Sequence, residues 1–306
     1  MSFFRGPVLA VAERPFVEKL IRKNGLSGKL VGRFVAGEDL ELALTAVQPL
    51  VNLGIHTTMD ELGENVSTRE EASAARDSFV HILKRMAEQK LEPNISIKLT
   101  MLGLDLGDDL VRENVEQILA TAREVGGFVR IDMEGSAYTD RTMKLFEEFH
   151  DQYPDEVGIV IQTYMKRAAD DIERMIARNA RVRLVKGAYS EPAEVAYKDK
   201  TEVDENYIRL MRRLLESGRY PAIATHDPEI IAAARAFTAA KGIPNENWEF
   251  QMLYGVRRDE QINLVSYGYR MRVYVPYGRQ WYPYFTRRIA ERPANAFFVL
   301  RQMISK

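Results

Sequence analysis

Two adjacent arginines, Arg287 and Arg288, are the residues of this chain best suited to grip a small anion. Guanidinium groups offer paired N–H donors in a rigid fork, which is what bidentate recognition of a carboxylate requires. Tyr284, Arg287, Arg288 and Glu291 fall at i, i+3, i+4 and i+7, so a helix would carry all four on one face. A solvated amphipathic helix with a surface ion pair has the same spacing, and such pairs contribute little. Six aromatics between Tyr274 and Phe285 argue against a merely solvated face, which has no use for them.

Further candidates lie upstream. Lys98 and Lys186 could each form a Schiff base if the amine pKa were lowered, or could pair with an anionic substrate or cofactor. Lys186 is followed by Gly187 and Ala188, small residues that let a ligand approach the backbone. Arg183, by strand parity, points away from Leu184; a cation there can lean on an electron-rich ring system and stabilise negative charge on it. Asp132 and Glu134 share a strand parity. His226 follows an apolar run and precedes Asp227-Pro228, an N-cap pattern, which turns it toward the same site. His81 and His150 fall within helical stretches and are expected on the surface. The four histidines show no metal-ligand spacing, and no metal is expected. No G-x-G-x-x-G, Walker loop, H-E-x-x-H or G-x-S-x-G occurs.

These residues are dispersed over 306 positions, so a regular scaffold must gather them. From about residue 53 a pattern repeats eight times: a short apolar or alternating run ends near a polar residue, and a helix follows. GIHTTMDELGENV leads to a helix expected from Thr68 to about Lys90. NISIKLT, ending near Lys98, leads to LVRENVEQILATAREVG. FVRIDMEG, with Asp132 and Glu134, leads to TDRTMKLFEEFHDQY. VGIVIQTY, ending at Gln162, leads to a helix expected from Lys166 to Arg178. RVRLVKGAY leads to one expected from Asp204 to Ser217. PAIATHD, with Thr225 and His226, leads to EIIAAARAFTAAK. WEFQMLYG, with Gln251, leads to a helix expected from Arg257 to Val265. In MRVYVPYG, Val273 and Val275 face one way and Tyr274 the other, Pro276 and Gly278 read as a turn, and Pro283 stands near the start of the arginine-bearing helix.

Strand alternating with helix predicts parallel units, and eight of them predict a (β/α)8 barrel, with an open doubly wound sheet as the alternative. In a barrel the C-terminal strand ends carry the active site. Lys98, Asp132, Gln162, Lys186, His226, Gln251 and Tyr274 all sit at or near such ends. Loops are wet and polar strand ends are common, but the recurrence on seven strands points to a shared site. Residues 14 to 48 read as helical around a glycine break, with Phe16, Leu20 and Ile21 as an apolar stripe. Asp39 begins a better helix, expected to stop before Pro49. Residues 1–52 are therefore expected to form an N-terminal helical arm and 53–306 the barrel.

The totals are those of an ordinary globular chain, 46% hydrophobic and 28% charged. A formal charge of -1 does not suggest a nucleic-acid partner. With no cysteine there is no disulfide, iron–sulfur cluster or thiol nucleophile. No apolar run reaches spanning length, and Val8 to Ala12 is too short for a signal peptide, so a cytoplasmic location is expected.

RVRLVKGAY, EFQMLYG and above all YVPYGRQWYPYFTRRIAERPAN resemble the proline dehydrogenase family, both its monofunctional members and the dehydrogenase domain of bifunctional proline-utilisation proteins. The resemblance runs from about residue 55 onward. It implies a distorted (β/α)8 barrel holding FAD at its strand ends, with the last helix over the mouth. It also implies oxidation of L-proline to Δ1-pyrroline-5-carboxylate, the first step of proline catabolism to glutamate, with electrons passed to a quinone and peripheral membrane contact. Arg287 and Arg288 would clamp the proline carboxylate with help from Lys98, and Glu64 would pair with one of them. Asp132 and Tyr274 would line the substrate pocket, with Tyr284 and Leu253 on the ring. Arg183 would lie against the flavin. Met133, Gln162, Lys186, Gly187, Ala188, Thr225 and His226 would hold FAD. The aldehyde dehydrogenase of the bifunctional relatives needs a cysteine nucleophile and is expected to be absent. A Schiff-base lyase on the same barrel, through Lys98 or Lys186, is the competing reading.

Overall fold

The computed structural model describes residues 31–63 and 65–290, the last four of these by backbone alone. Eight strands, β1 (His56–Glu61), β2 (Asn94–Ile97), β3 (Phe128–Ile131), β4 (Val157–Gln162), β5 (Arg181–Val185), β6 (Arg219–Ala224), β7 (Glu249–Leu253) and β8 (Met271–Tyr277), close in sequence order into a barrel. Every pairing is parallel. β1 pairs with β8 from His56↔Arg272 to Glu61↔Tyr277, which rules out an open sheet. A register shift between Arg181 and Arg183, where β5 meets β6, distorts the wall.

Nine helices are described: α1 (Leu40–Asn52), α2 (Arg69–Glu88), α3 (Asp108–Val125), α4 (Ser136–Gln152), α5 (Ala168–Ala177), α6 (Lys200–Ser217), α7 (Pro228–Lys241), α8 (Arg258–Ser266) and α9 (Trp281–Ala290). Local chemistry fixes their starts. The Thr68 hydroxyl accepts from Glu71 N at 3.2 Å and the Glu71 carboxylate accepts from Thr68 N, a complete capping box on α2. Asp39 caps α1, and Asp227 caps α7 with Pro228 just inside. Asp199 caps α6, which therefore begins four residues before the expected Asp204. Among the described residues no helix is long and apolar enough to cross a membrane.

Strand parity puts Val273 and Val275 in the main core and Tyr274 inside the barrel. Two prolines behave differently from expectation. α1 runs through Pro49 to Asn52. A proline inside a helix costs about 3 kcal/mol, but Leu44, Val47 and Leu50 are buried beside it, and each such side chain contributes roughly 1.5–3 kcal/mol. Pro276 lies within β8 and does not open a turn. Pairing of β7 with β8 ends at Leu253↔Tyr274, so Pro276 has no β7 neighbour that needs its missing N–H. His150 is also corrected: it is 6% exposed and stacks on Phe146 at 5.4 Å, so burial, with Arg178 and Arg219 nearby, lowers its pKa. His81 is exposed as expected. The stripe of Phe16, Leu20 and Ile21 lies outside the described residues.

α1 packs against β1 and β8 and joins the main core. α9 belongs elsewhere. Its Trp281, Tyr282, Tyr284 and Phe285 form a separate small cluster with Phe34, Val35 and Leu62. Ala36 N donates to Pro276 O, and Gly278 N to Gly37 O, both at 2.9 Å, which ties the leading segment to the end of β8. α1 thus fills the outer wall beside β8, and α9 is left to cover the mouth.

The lower barrel interior is polar. Arg272 is 3% exposed; its Nε donates to Glu249 at 2.9 Å, Nη1 to Thr57 O at 2.9 Å and Nη2 to Glu92 at 2.9 Å. Tyr220 donates its hydroxyl to Glu249 at 3.1 Å. Arg130, also fully buried, donates to Arg181 O and Ile159 O. Burial, with Arg183 and Arg181 close by, lowers the Arg130 pKa. A Cβ at Gly158 would come within 2.4 Å of Arg130 Nη1, so only glycine admits that guanidinium. Burial works to raise the Glu92 pKa, yet His56 and Arg272 hold it at about 2, against an ordinary 4.5. A depressed carboxylate stabilises the fold above its unfolded pKa and loses that contribution as pH falls through the folded one. Glu92→Gln is therefore expected to flatten the loss of thermal stability between about pH 4.5 and about pH 2, read from melting curves across that window.

Candidate active site

The strand ends surround a cavity of about 580 Å³. Asp132 stands at its centre. Its Oδ1 accepts from Arg183 Nη1 at 2.8 Å and its Oδ2 from the Tyr274 hydroxyl at 2.9 Å. Lys98 Nζ lies 3.9 Å from the same Oδ2. Arg183 also donates to Ser96 Oγ at 3.0 Å, and its guanidinium sits 5.3 Å over the Tyr274 ring. Side chains from β5 and β8 are thus locked to the residue that follows β3. A donor array fixed in this way loses little to reorganisation when charge develops beside it.

Strand β1 contributes a residue that sequence reasoning missed. Asp60 is 1% exposed, and its Oδ1 accepts from Lys98 Nζ at 3.2 Å. Burial raises the Asp60 pKa, opposed by Lys98 and reinforced by Asp132. Burial works against the Lys98 charge, but Asp60 and Asp132 outweigh it and raise that pKa. A lysine held as ammonium is unsuited to Schiff-base attack, which needs the free amine. The missed signal was parity: Thr58 and Asp60 alternate inward in HTTMDE. The adjacent Glu61 and the nearby Glu64 hid the position, because a cluster of acids at a strand end does not single one of them out.

The other side of the cavity is built from β4 to β7. Gln162 Nε2 donates to Met133 O at 3.1 Å, while its buried Oε1 has no hydrogen-bond partner among the described residues. Lys186 Nζ lies 2.5 Å from Asp204 and 2.8 Å from Asp227. Gly187 adopts φ +114°, and a Cβ there would fall 2.3 Å from the Tyr164 ring. Thr225 N donates to Gln251 O at 3.1 Å. His226 Nε2 accepts from Leu253 N at 2.9 Å, so that nitrogen carries the lone pair. The Tyr207 hydroxyl contacts Leu184 O at 3.0 Å and Ala224 O at 3.1 Å, joining β5 to β6 below the site.

Lys98, Asp132, Arg183, Tyr274, Leu253 and Tyr284 therefore line one cavity with Met133, Gln162, Lys186, Gly187, Ala188, Thr225 and His226. Glu64 lies outside the described residues, as do Glu291 and the side chains of Arg287 and Arg288. The α9 backbone that carries the two arginines is placed by Tyr284, which is 7% exposed and packed with Leu62 and Phe285.

A family model described as Proline dehydrogenase matches residues 43–301. The chain belongs to the proline dehydrogenase family. It is 44% identical to proline dehydrogenase of Deinococcus radiodurans over 99% of this chain and 98% of that one. It is 40% identical to proline dehydrogenase 2 of Bacillus subtilis over 97% of this chain and 98% of that one. The fold is similar to that of proline utilization A from Bdellovibrio bacteriovorus inactivated by N-propargylglycine, with a TM-score of 0.81 and 25% identity. That match takes in 94% of this chain but 36% of the other, so only part of the larger protein compares. As a proline dehydrogenase family member the chain is an oxidoreductase, and its barrel is the family's barrel.

Proposed function

We propose that the protein oxidises L-proline to Δ1-pyrroline-5-carboxylate with FAD as cofactor, passes the electrons to a quinone at a membrane surface, and so opens proline catabolism to glutamate. The observation that carries this reading is the cluster of Lys98, Asp132, Arg183 and Tyr274 in a family-matched barrel mouth. The cofactor side of the cavity fits a flavin nucleotide. The unpaired Gln162 Oε1 can accept from a ring N–H, and Lys186 supplies a cation beside Gly187. Gly187 packs against the Tyr164 ring where a side chain would stand, and with Ala188 it presents small residues to the cavity, so a large planar or phosphorylated group can approach there. Met133, Gln162, Lys186, Gly187, Ala188, Thr225 and His226 would hold it.

When bound, FAD supplies the acceptor for a hydride from the ring carbon next to nitrogen. The chain's own groups do the rest. Arg287 and Arg288 take the substrate carboxylate; each charge-assisted hydrogen bond contributes about 1.5–3 kcal/mol. Lys98, kept protonated by Asp60 and Asp132, adds a third cation. Glu64 would pair with one of the arginines. Tyr274, Tyr284 and Leu253 shape the space for the ring, and Asp132 holds Arg183 and Tyr274 in register. Arg183 stabilises negative charge on the cofactor's ring system.

Anaerobic addition of L-proline to FAD-reconstituted protein is expected to bleach the visible flavin band, and reoxidation by a soluble quinone to restore it. An unchanged spectrum after proline would overturn the reading. Gly187→Val is expected to raise the FAD dissociation constant at least about tenfold, a change of about 1.4 kcal/mol, because the new side chain must displace the Tyr164 ring. Flavin fluorescence titration of the apoprotein measures it.

A further inference from the structure

Asp60 has a property that its pairing with Lys98 does not use. Only Oδ1 meets the lysine; among the described residues the buried Oδ2 accepts no hydrogen bond, and the Tyr274 hydroxyl beside it is held by Asp132. Acceptor oxygens of ionised carboxylates are costly to leave unpaired in a dry site. The groups that face this carboxylate are Lys98 from beyond β2, Asp132 from beyond β3 and Tyr274 from β8. Arg183 of β5 stands behind Asp132. On the outer side of the wall Tyr277 is the charged or titratable neighbour, itself beside Glu61.

The charge count is informative. Lys98 and Arg183 are balanced by Asp60 and Asp132, so the pocket floor is neutral when all four are ionised. An amino acid with a secondary amine arrives from neutral water as a zwitterion, because such an amine resembles lysine with a pKa of about 10. Hydride loss from the carbon next to nitrogen requires the free nitrogen lone pair, so one proton must go first. Of the two carboxylates Asp60 is the drier, its side chain 2% exposed against 15% for Asp132.

We propose that Asp60 is a positioning residue that stores the substrate's ammonium proton on its unpaired oxygen. This rests on the proline reading above. The step balances within the site. One N–H bond breaks and leaves its electron pair on nitrogen, and one O–H bond forms on Asp60. The Tyr274 hydroxyl, which donates to Asp132 Oδ2 and also neighbours Asp60, joins the cavity to Asp60: it turns its own O–H to Asp60 and gives up that proton as it takes the substrate's, so one Tyr274 O–H bond breaks as another forms. With Asp60 neutral the floor carries one net positive charge, matched to an amino acid that is now a net anion. Substrate deprotonation and carboxylate binding are thereby coupled. Burial, the largest influence on Asp60, favours its neutral form.

The test compares wild type with Asp60→Asn and Asp60→Glu across pH, reading the anaerobic flavin-reduction rate per proline dissociation constant. Without a proton store the enzyme must select the rare neutral amine. Asp60→Asn is therefore expected to fall about a hundredfold at about pH 7 and to recover steadily toward about pH 10, while wild type levels off earlier. Asp60→Glu is expected to restore the wild-type shape. Cyclopentanecarboxylate, which has the carboxylate and no nitrogen, is expected to bind Asp60→Asn more tightly than wild type, because the neutral side chain leaves the floor with one net positive charge. A parallel drop at every pH would mark a merely structural residue and overturn the proposal.

Infrared difference spectra of wild-type holoenzyme provide a readout apart from turnover and need no variant to fold. Proline is expected to bring up the carbonyl stretch of a protonated carboxylic acid, and cyclopentanecarboxylate is not. Absence of that band, or its loss in Asp132→Asn but not in Asp60→Asn, also overturns the proposal. If wild type fails to bleach with proline, the functional reading itself falls. If it bleaches and the profiles coincide, only the role of Asp60 does.

Discussion

Asp132→Ala is expected to slow flavin reduction by L-proline about 10²–10³-fold, the loss found when one fixed electrostatic group is removed from a reacting site. Asp132 holds two groups at once, Arg183 at 2.8 Å and the Tyr274 hydroxyl at 2.9 Å, and it faces Lys98 at 3.9 Å. Without the carboxylate, Arg183 keeps its hydrogen bond to Ser96 and its place over the Tyr274 ring but loses its ionic partner, and its guanidinium is freer to leave the ring it should face. The loss should fall mainly on the limiting rate, because the proposed arginine clamp is untouched. FAD retention should change little, since Gln162, Lys186 and Gly187 stand on other strands. Stopped-flow reduction at saturating proline, with FAD content checked by absorbance, separates these effects. A variant that reduces its flavin at the wild-type rate would remove Asp132 from the mechanism.

The second large effect is on stability. Glu249→Leu is expected to destabilise the fold by about 3–5 kcal/mol, the range for breaking a buried ion pair by deleting one partner. Glu249 is 2% exposed and receives Arg272 Nε, Gln251 Nε2 and the Tyr220 hydroxyl. Burial works to raise its pKa, but Arg272 lowers it, so it is a carboxylate at neutral pH. Its loss leaves the buried Arg272 with Glu92 as its remaining carboxylate and takes away the carboxylate that offsets Arg130 and Arg181. A compensating Arg272→Met should recover much of the loss, because an apolar pair of similar volume often replaces a buried ion pair at little cost. Denaturant unfolding of the single and double variants gives both numbers. Additive losses would show that Glu249 and Arg272 do not act as a unit.

The barrel was legible because its signal is periodic. Each unit repeats a run buried on both faces followed by an amphipathic helix, and eight such units leave few architectures. Polar strand ends such as Lys98, Gln162 and Tyr274 were legible for the same reason. What escaped depends on partners far away in sequence. Asp60 looks like any acid in a short strand until Lys98 is placed on it. Pro276 reads as a turn until β7 is seen to stop pairing at Tyr274. His150 has the flanks of a surface residue, and only the packing of Phe146 and its neighbours buries it. The polar lower barrel, with Arg130, Arg181, Glu249 and Arg272, was not anticipated because a barrel interior is ordinarily filled by branched apolar side chains.

The separate apolar cluster under α9 has a consequence for how the molecule opens. Among the described residues, Trp281, Tyr282, Tyr284 and Phe285 rest on Phe34, Val35 and Leu62, in a cluster apart from the main core. Detaching them exposes aromatic rings but unpairs no strand, because β8 is closed onto β1 and α1 packs against both. Among the described residues a handful of side chains holds that cluster, whereas unfolding costs the whole barrel. The protein therefore has two cooperative units of very different depth. The shallow one carries Tyr284, which lines the cavity, so the cover of that cavity and the integrity of the barrel rest on different side chains.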